Sequence, residues 1–369
     1  MHWGHAVSTD GLHWEHLPIA LYPDEIGMAF SGSGILLDEA GRPAQDSGKF
    51  ALVYTSHGAM EQQSIAFSED GIHFTPYEGN PVIPNATLRD FRDPKVFPDP
   101  VNGGFGLVLA AGNRAMFYHS EDLFHWEKTG EFGPFLEFAG CVWECPSIVQ
   151  IGEKWVFLIS MGMVGTRSLK DMYYWIGQWD GRTFTAETEM EIVDFARDDY
   201  AGVFYYGAPE PSMISWASQW AYANQVPTAE EGFRSQMTYI RALQLVETPQ
   251  GLKLAAEPVG NLVPTAEVTS DKPFEITLSN GEETFRVGLN AENQVYMDRT
   301  GLKKAEWSEL YNHEAFGCCR IPRLFTDRPC EMKLYVDHSV AEVYVDGGTR
   351  VGTMLLYPEK PLNQLKIEK

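Results

Sequence analysis

Two carboxylates in this 369-residue chain have neighbours that would tune them apart. Asp93 lies in FRDP (91–94). Pro94 biases it towards extended backbone, and Arg92 predicts a carboxylate held ionised by attraction and hydrogen bonding. Glu144 lies in WECP (143–146), between Trp143 and Cys145. That setting is less polar, so desolvation would raise its pKa and suit it to general-acid work. Two carboxylates tuned to different roles are the equipment of glycoside cleavage. A third stretch, FSGS (30–33), could join them at one end of a channel. Taken singly, Arg92–Asp93 reads as readily as a structural ion pair and Glu144 as a rim residue. Together they read as a site.

Aromatic side chains supply flat faces on which sugar rings stack. Of the ten tryptophans, Trp143 and Trp216 are the two expected near the site, and most of the others read as packing. His2, His5, His13 and His16 are close in sequence, but no cysteine or carboxylate joins them at a ligand-like spacing, so no metal is expected.

The elements that would position these residues come from a repeat. STDGLHW (8–14), SEDGIHF (68–74) and SEDLFHW (120–126) share one pattern, and QWDGRTF (178–184) is a weaker copy. The closing aromatics Trp14, Phe74, Trp126 and Phe184 recur at intervals of roughly 50–60 residues, the spacing of β-propeller blades. Each copy follows an apolar strand, and further strands lie between copies. The closing aromatics are expected to pack between blades. Near residue 255 the pattern changes to plain alternation, as in FEITL, TFRVGL and AEVYVDG, which reads as a β-sandwich. The fold class predicted is all-β: a propeller over residues 1–250, then a sandwich over 262–369.

Composition agrees. Aromatics at 13%, with 34 Gly and 22 Pro, favour short strands and turns. A net charge of −23 repels phosphate backbones and anionic lipid surfaces, which argues against nucleic-acid and membrane partners. Five cysteines without ligand spacing read as reduced thiols and predict a cytoplasmic protein.

These stretches together resemble glycoside hydrolase family 32, the β-fructofuranosidases, levanases and exo-inulinases. HWGHAVSTDGLHW, FSGSG, FRDPKVF, CVWECPSI, SWASQWAYANQVPT and the late VDHSVAEVYVDGG all look like family segments in family order. The resemblance implies a five-bladed propeller followed by a β-sandwich. It also implies retaining hydrolysis of terminal β-fructofuranosides, with a sugar or oligosaccharide partner and no cofactor. By resemblance Glu144 is the acid/base and Asp93 the transition-state stabiliser. Phe30, Ser31, Arg92, Trp143, Cys145, Asp198 and Trp216 would bind substrate. DFARDDYA (194–201) departs from the family pattern at Ala196 and Asp199, and Gln219 stands where Asn is usual.

A larger departure concerns the nucleophile. The family carries it as Asp in a WMNDPNG-type motif on the first strand of the first blade, and no such motif occurs here. The first turn copy has no strands before it, so the expectation is a truncated first blade and a chain with little or no turnover. The alternatives are a non-catalytic fructoside-binding protein and another five-bladed glycosidase, such as an arabinan-acting enzyme.

Overall fold

The computed structural model describes residues 1–45, 48–135, 140–163 and 170–369. It is almost wholly β, and its first five sheets follow chain order. A two-stranded sheet pairs Trp3–Val7 with Glu15–Leu21. A five-stranded sheet orders Pro43–Ala44, Met28–Leu37, Lys49–His57, Glu61–Ser68 and Thr75–Pro76. The third runs Phe91–Pro98, Phe105–Ala111, Ala115–Ser120, Glu127–Phe132. The fourth begins with Cys141–Ile151 and Lys154–Met163, and the fifth is ordered Tyr200–Phe204, Ser212–Ala217, Arg241–Thr248, Gly251–Pro258. Two further sheets form the sandwich. The class is the expected one, a five-bladed propeller followed by a β-sandwich.

The turn copies explain why the blades repeat. In each full copy one Asp carboxylate accepts the N–H groups two and three residues ahead, while Ser accepts two more. Asp10, Asp70 and Asp122 each do this, and each also holds the following His through Nδ1 at 2.7–2.8 Å. These bonds to the ionised form hold all three carboxyls below their usual range. The weak copy keeps the Asp180 bonds to Arg182 and Thr183 N–H but has no histidine. The closing aromatics behave unevenly. Phe184 packs on Phe132 and Phe157, and Phe74 packs on His5 and Phe50. Trp14 does not follow the expectation: it is exposed.

The chain forms two compact units. The first comprises Met1–Ser168, Tyr173–Glu191 and Ala201–Ser212; the second comprises Leu169–Met172, Ile192–Tyr200 and Met213–Lys369. In the second unit, Phe274–Ser279 buries Phe274, Ile276 and Leu278 and turns Glu275, Thr277 and Ser279 outward. Ala266–Ser270 alternates likewise. This period of two builds a core that includes Val268, Ile276, Val287, Met297, Leu334 and Val343.

Within the first unit, three strands share an irregularity. Pairing slips between Ala29 and Gly32 in Met28–Leu37, between Arg92 and Lys95 in Phe91–Pro98, and between Glu144 and Ser147 in Cys141–Ile151. Asp93, Cys145 and Ala201 have φ of +62°, +49° and +54°. Asp93 is therefore left-handed rather than extended, against the expectation from Pro94. A bulge re-aims a side chain away from the ladder, and here it does so on successive sheets.

Candidate active site

The bulges turn their residues towards one cavity of about 320 Å³ in the first unit, lined in part by Trp3, Phe30, Ser31, Asp93, Cys145 and Ala201. Hydrogen bonds between the sheets fix its walls. Ser33 Oγ donates to the Pro94 carbonyl at 2.8 Å and accepts from Val96 N–H at 2.8 Å. Asp93 N–H donates to Thr55 Oγ1, and Cys145 N–H donates to Asp93 Oδ2 at 2.8 Å. Phe204 N–H donates to Ser147 Oγ. Gly32 is required by close approach: a Cβ there would lie 2.1 Å from the Val53 carbonyl oxygen.

Arg92 collects the carboxylates. Its Nη1 lies 2.8 Å from Asp90 and 3.2 Å from Glu61, its Nη2 is 3.2 Å from Glu144, and its Nε is 4.0 Å from Asp93. Glu61 in turn meets His57 Nδ1 at 3.1 Å, and the His57 ring stacks on Phe30 at 4.0 Å. Burial opposes the Arg92 cation, but Asp90, Glu61, Asp93 and Glu144 outweigh it and raise its pKa.

One guanidinium faces four carboxyl groups, and among them Asp93 is deeply buried. Burial pushes it up to about 6, and Glu144 adds to this; the Cys145 N–H and Arg92 only partly offset the rise. Arg92 favours the ionised form of Asp93, as expected, but burial outweighs that pull. Arg92 gives its short contacts to Asp90, Glu61 and Glu144 and reaches Asp93 least closely. Cys145 is a partly buried thiol whose pKa is raised by desolvation and by the nearby Asp93 and Glu144.

Phe30, Ser31, Asp93 and Cys145 thus share one wall, with Arg92 and Glu144 bonded beside them. The other predicted residues lie elsewhere. Trp143 is wholly buried among Phe132, Phe135 and Trp175, so it has no face to offer a sugar. It neighbours Glu144 in sequence, but strand alternation sends the two to opposite sides. Asp198 belongs to the second unit and is also fully buried. It pairs with Arg299, accepts from Tyr222 OH and accepts Leu355 N–H at 2.8 Å. All of these partners are internal, so Asp198 reads as a fold-holding ion rather than a substrate contact. Trp216 is half-buried in the second unit, its ring centroid 4.9 Å from that of Trp220.

Sequence reading missed Glu61, Thr55 and Lys95. Glu61 and Thr55 lie in ordinary strand context and give no signal. Lys95 could have been found: it is a lone cation two residues from Asp93 in the otherwise apolar run KVFP.

Residues 1–258 match the family model described as glycosyl hydrolases family 32 N-terminal domain, and residues 231–369 match the family 32 C-terminal model. The chain belongs to glycosyl hydrolase family 32. Family 32 relatives include a levanase of Bacillus subtilis, 33% identical over 422 residues, which spans all of this chain and 62% of the relative. An invertase of Schizosaccharomyces pombe is 34% identical over 310 residues, covering 77% of this chain and 51% of the relative. The chain thus spans between half and two thirds of the length of these two family 32 proteins. Among solved structures, an exo-inulinase from Aspergillus awamori superposes with a TM-score of 0.84 at 25% identity, covering all of this chain and 87% of that one.

Proposed function

We propose that the cavity of the first unit is the fructosyl pocket of a retaining β-fructofuranosidase, acting on sucrose, sucrose phosphate or fructans. The observation that carries this is the Arg92 bridge, which holds Glu144 and Asp93 together beside one small cavity. Glu144 would protonate the departing oxygen and then activate water. Asp93 would grip ring hydroxyls and favour the oxocarbenium-like transition state. Phe30, Ser31, Arg92 and Cys145 would complete the pocket. The named relatives, a levanase and an invertase, support a fructoside as the ligand.

A retaining reaction also needs a carboxylate nucleophile about 5–5.5 Å from the acid/base. These 369 residues contain no WMNDPNG-type motif, and among the described residues Asp93 is the one carboxylate on the cavity wall. We therefore propose that this chain binds β-fructosides but turns them over slowly. Losing the nucleophile of another hydrolase costs on the order of 10⁶ in rate, so a comparable deficit is expected. Calorimetric titration with fructose and sucrose, beside a reducing-sugar assay, tests both parts. Binding with trace hydrolysis supports the proposal. Turnover in the usual enzyme range, roughly 1–10³ per second, would overturn the second part. Absence of fructoside binding would overturn the first.

A further inference from the structure

The proposed reaction leaves Lys95 without a task. It lies on Phe91–Pro98 and lines two adjoining cavities. One is the pocket described above; the other, also about 320 Å³, is bounded by Ser33, Ile35, Phe50, Tyr205 and Tyr206 among others. Gly32, Lys95 and Val203 belong to both walls. The Lys95 side chain is buried, and its Nζ donates to the Phe204 carbonyl at 2.6 Å. Among the described residues no carboxylate stands within ion-pair distance of it.

An ammonium has three N–H donors, and burying it beside one acceptor and no counterion favours the neutral amine. Burial accordingly pushes Lys95 down to about 8. At pH 7 about a tenth of such amines carry a free lone pair, against roughly one in three thousand for an ordinary lysine. Buried lysines of this kind are the ones that form Schiff bases.

We propose that Lys95 is a carbonyl-capture site, whose amine condenses with small α-hydroxy ketones and with the open-chain form of free fructose. The fructose part rests on the fructoside reading above; the amine's reactivity does not. In the condensation the nitrogen lone pair forms a bond to the carbonyl carbon. The carbinolamine then expels the former carbonyl oxygen as water, which takes up both amine protons. The product is a ketimine, with no net oxidation or reduction. The reaction is reversible, so it would occupy the pocket wherever free ketose accumulates.

The test treats the folded chain at pH 7 with dihydroxyacetone and sodium cyanoborohydride, whose hydride reduces the imine to a stable secondary amine. Labelled lysines are then mapped by mass spectrometry. The expected result is labelling of Lys95 at least about ten-fold faster than of exposed Lys49, Lys303 and Lys366, with the preference lost in urea. A parallel arm uses fructose. Fast labelling by both compounds supports the whole proposal. Labelling by dihydroxyacetone alone supports the reactive amine but removes fructose as its partner. If Lys95 labels no faster than the exposed lysines with either compound, or its preference survives in urea, the proposal is overturned.

Discussion

Nη2 of Arg92 lies 3.2 Å from Oε1 of Glu144, joining two residues 52 positions apart. Both sit beside bulges on strands of different sheets, so this one ion pair holds Glu144, the proposed acid/base, beside the cavity. The same guanidinium serves Asp90, Glu61 and Asp93, which makes it the most consequential side chain of the site.

Replacing it would leave several partly buried carboxylates facing one another. Arg92→Met is expected to destabilise the protein by about 3 kcal/mol, the usual scale for leaving a buried charge unpaired. It should also abolish measurable fructoside binding. Urea denaturation and calorimetric titration check the two effects. An unchanged midpoint would show that Arg92 does not hold the cluster together.

The raised pKa of Asp93 makes a signed prediction about pH. The native carboxyl keeps its proton up to about 6, whereas an unfolded Asp loses it near its ordinary 3.8. The folded state therefore loses stability as pH rises from about 4 to 6, and carries the full penalty above that. Asp93→Asn mimics the protonated form and still accepts the Cys145 N–H. The variant should match the natural chain near pH 4 and exceed it by about 3 kcal/mol at pH 7. Denaturation midpoints at the two pH values decide it; a constant difference between the proteins would refute the assignment.

Trp143 offers a test of the difference between a site residue and a core residue. Trp143→Ala is expected to cost about 3–5 kcal/mol through the cavity it leaves, and Trp143→Phe considerably less. Fructoside affinity of the folded Phe variant should be unchanged. A large affinity loss without a stability loss would return Trp143 to the pocket.

Asp198 makes the complementary case. Arg299→Met should destabilise by about 3–5 kcal/mol, because Asp198 would be left buried without its guanidinium partner. In Asp198→Asn the amide oxygen can still accept the Leu355 N–H, with the amide NH2 now donating to the Tyr222 hydroxyl oxygen, and fructoside affinity should stay intact. Thermal unfolding beside titration separates these effects, and a specific loss of affinity in Asp198→Asn would make it a ligand contact after all.

Much of the fold was legible because it is locally written. The Ser-x-Asp turns cap themselves through bonds spanning two or three residues, so their sequence is their structure. Alternation in FEITL and its neighbours likewise fixes which face is buried. The grouping of Phe30, Ser31, Asp93 and Cys145 followed from placing equivalent stretches in successive blades. What escaped depends on long-range partners. Asp93 takes a left-handed backbone because Thr55 and Cys145 hold it there, and no neighbour in FRDP encodes that. Asp198 entered the pocket reading only through the family resemblance, and nothing near it in sequence announces Arg299, about a hundred positions away. Trp143 was drawn to the site by proximity to Glu144, which strand geometry then reverses.

The bulges have a consequence for how the pocket can change over generations. A residue displaced from the ladder has no strand partner directly opposite it, so its replacement disturbs little pairing. Ser31, Asp93 and Cys145 occupy such positions, while the regular ladders of the same strands carry the sheets. The floor of the pocket can therefore accept new side chains one at a time, on a scaffold that need not be relearned.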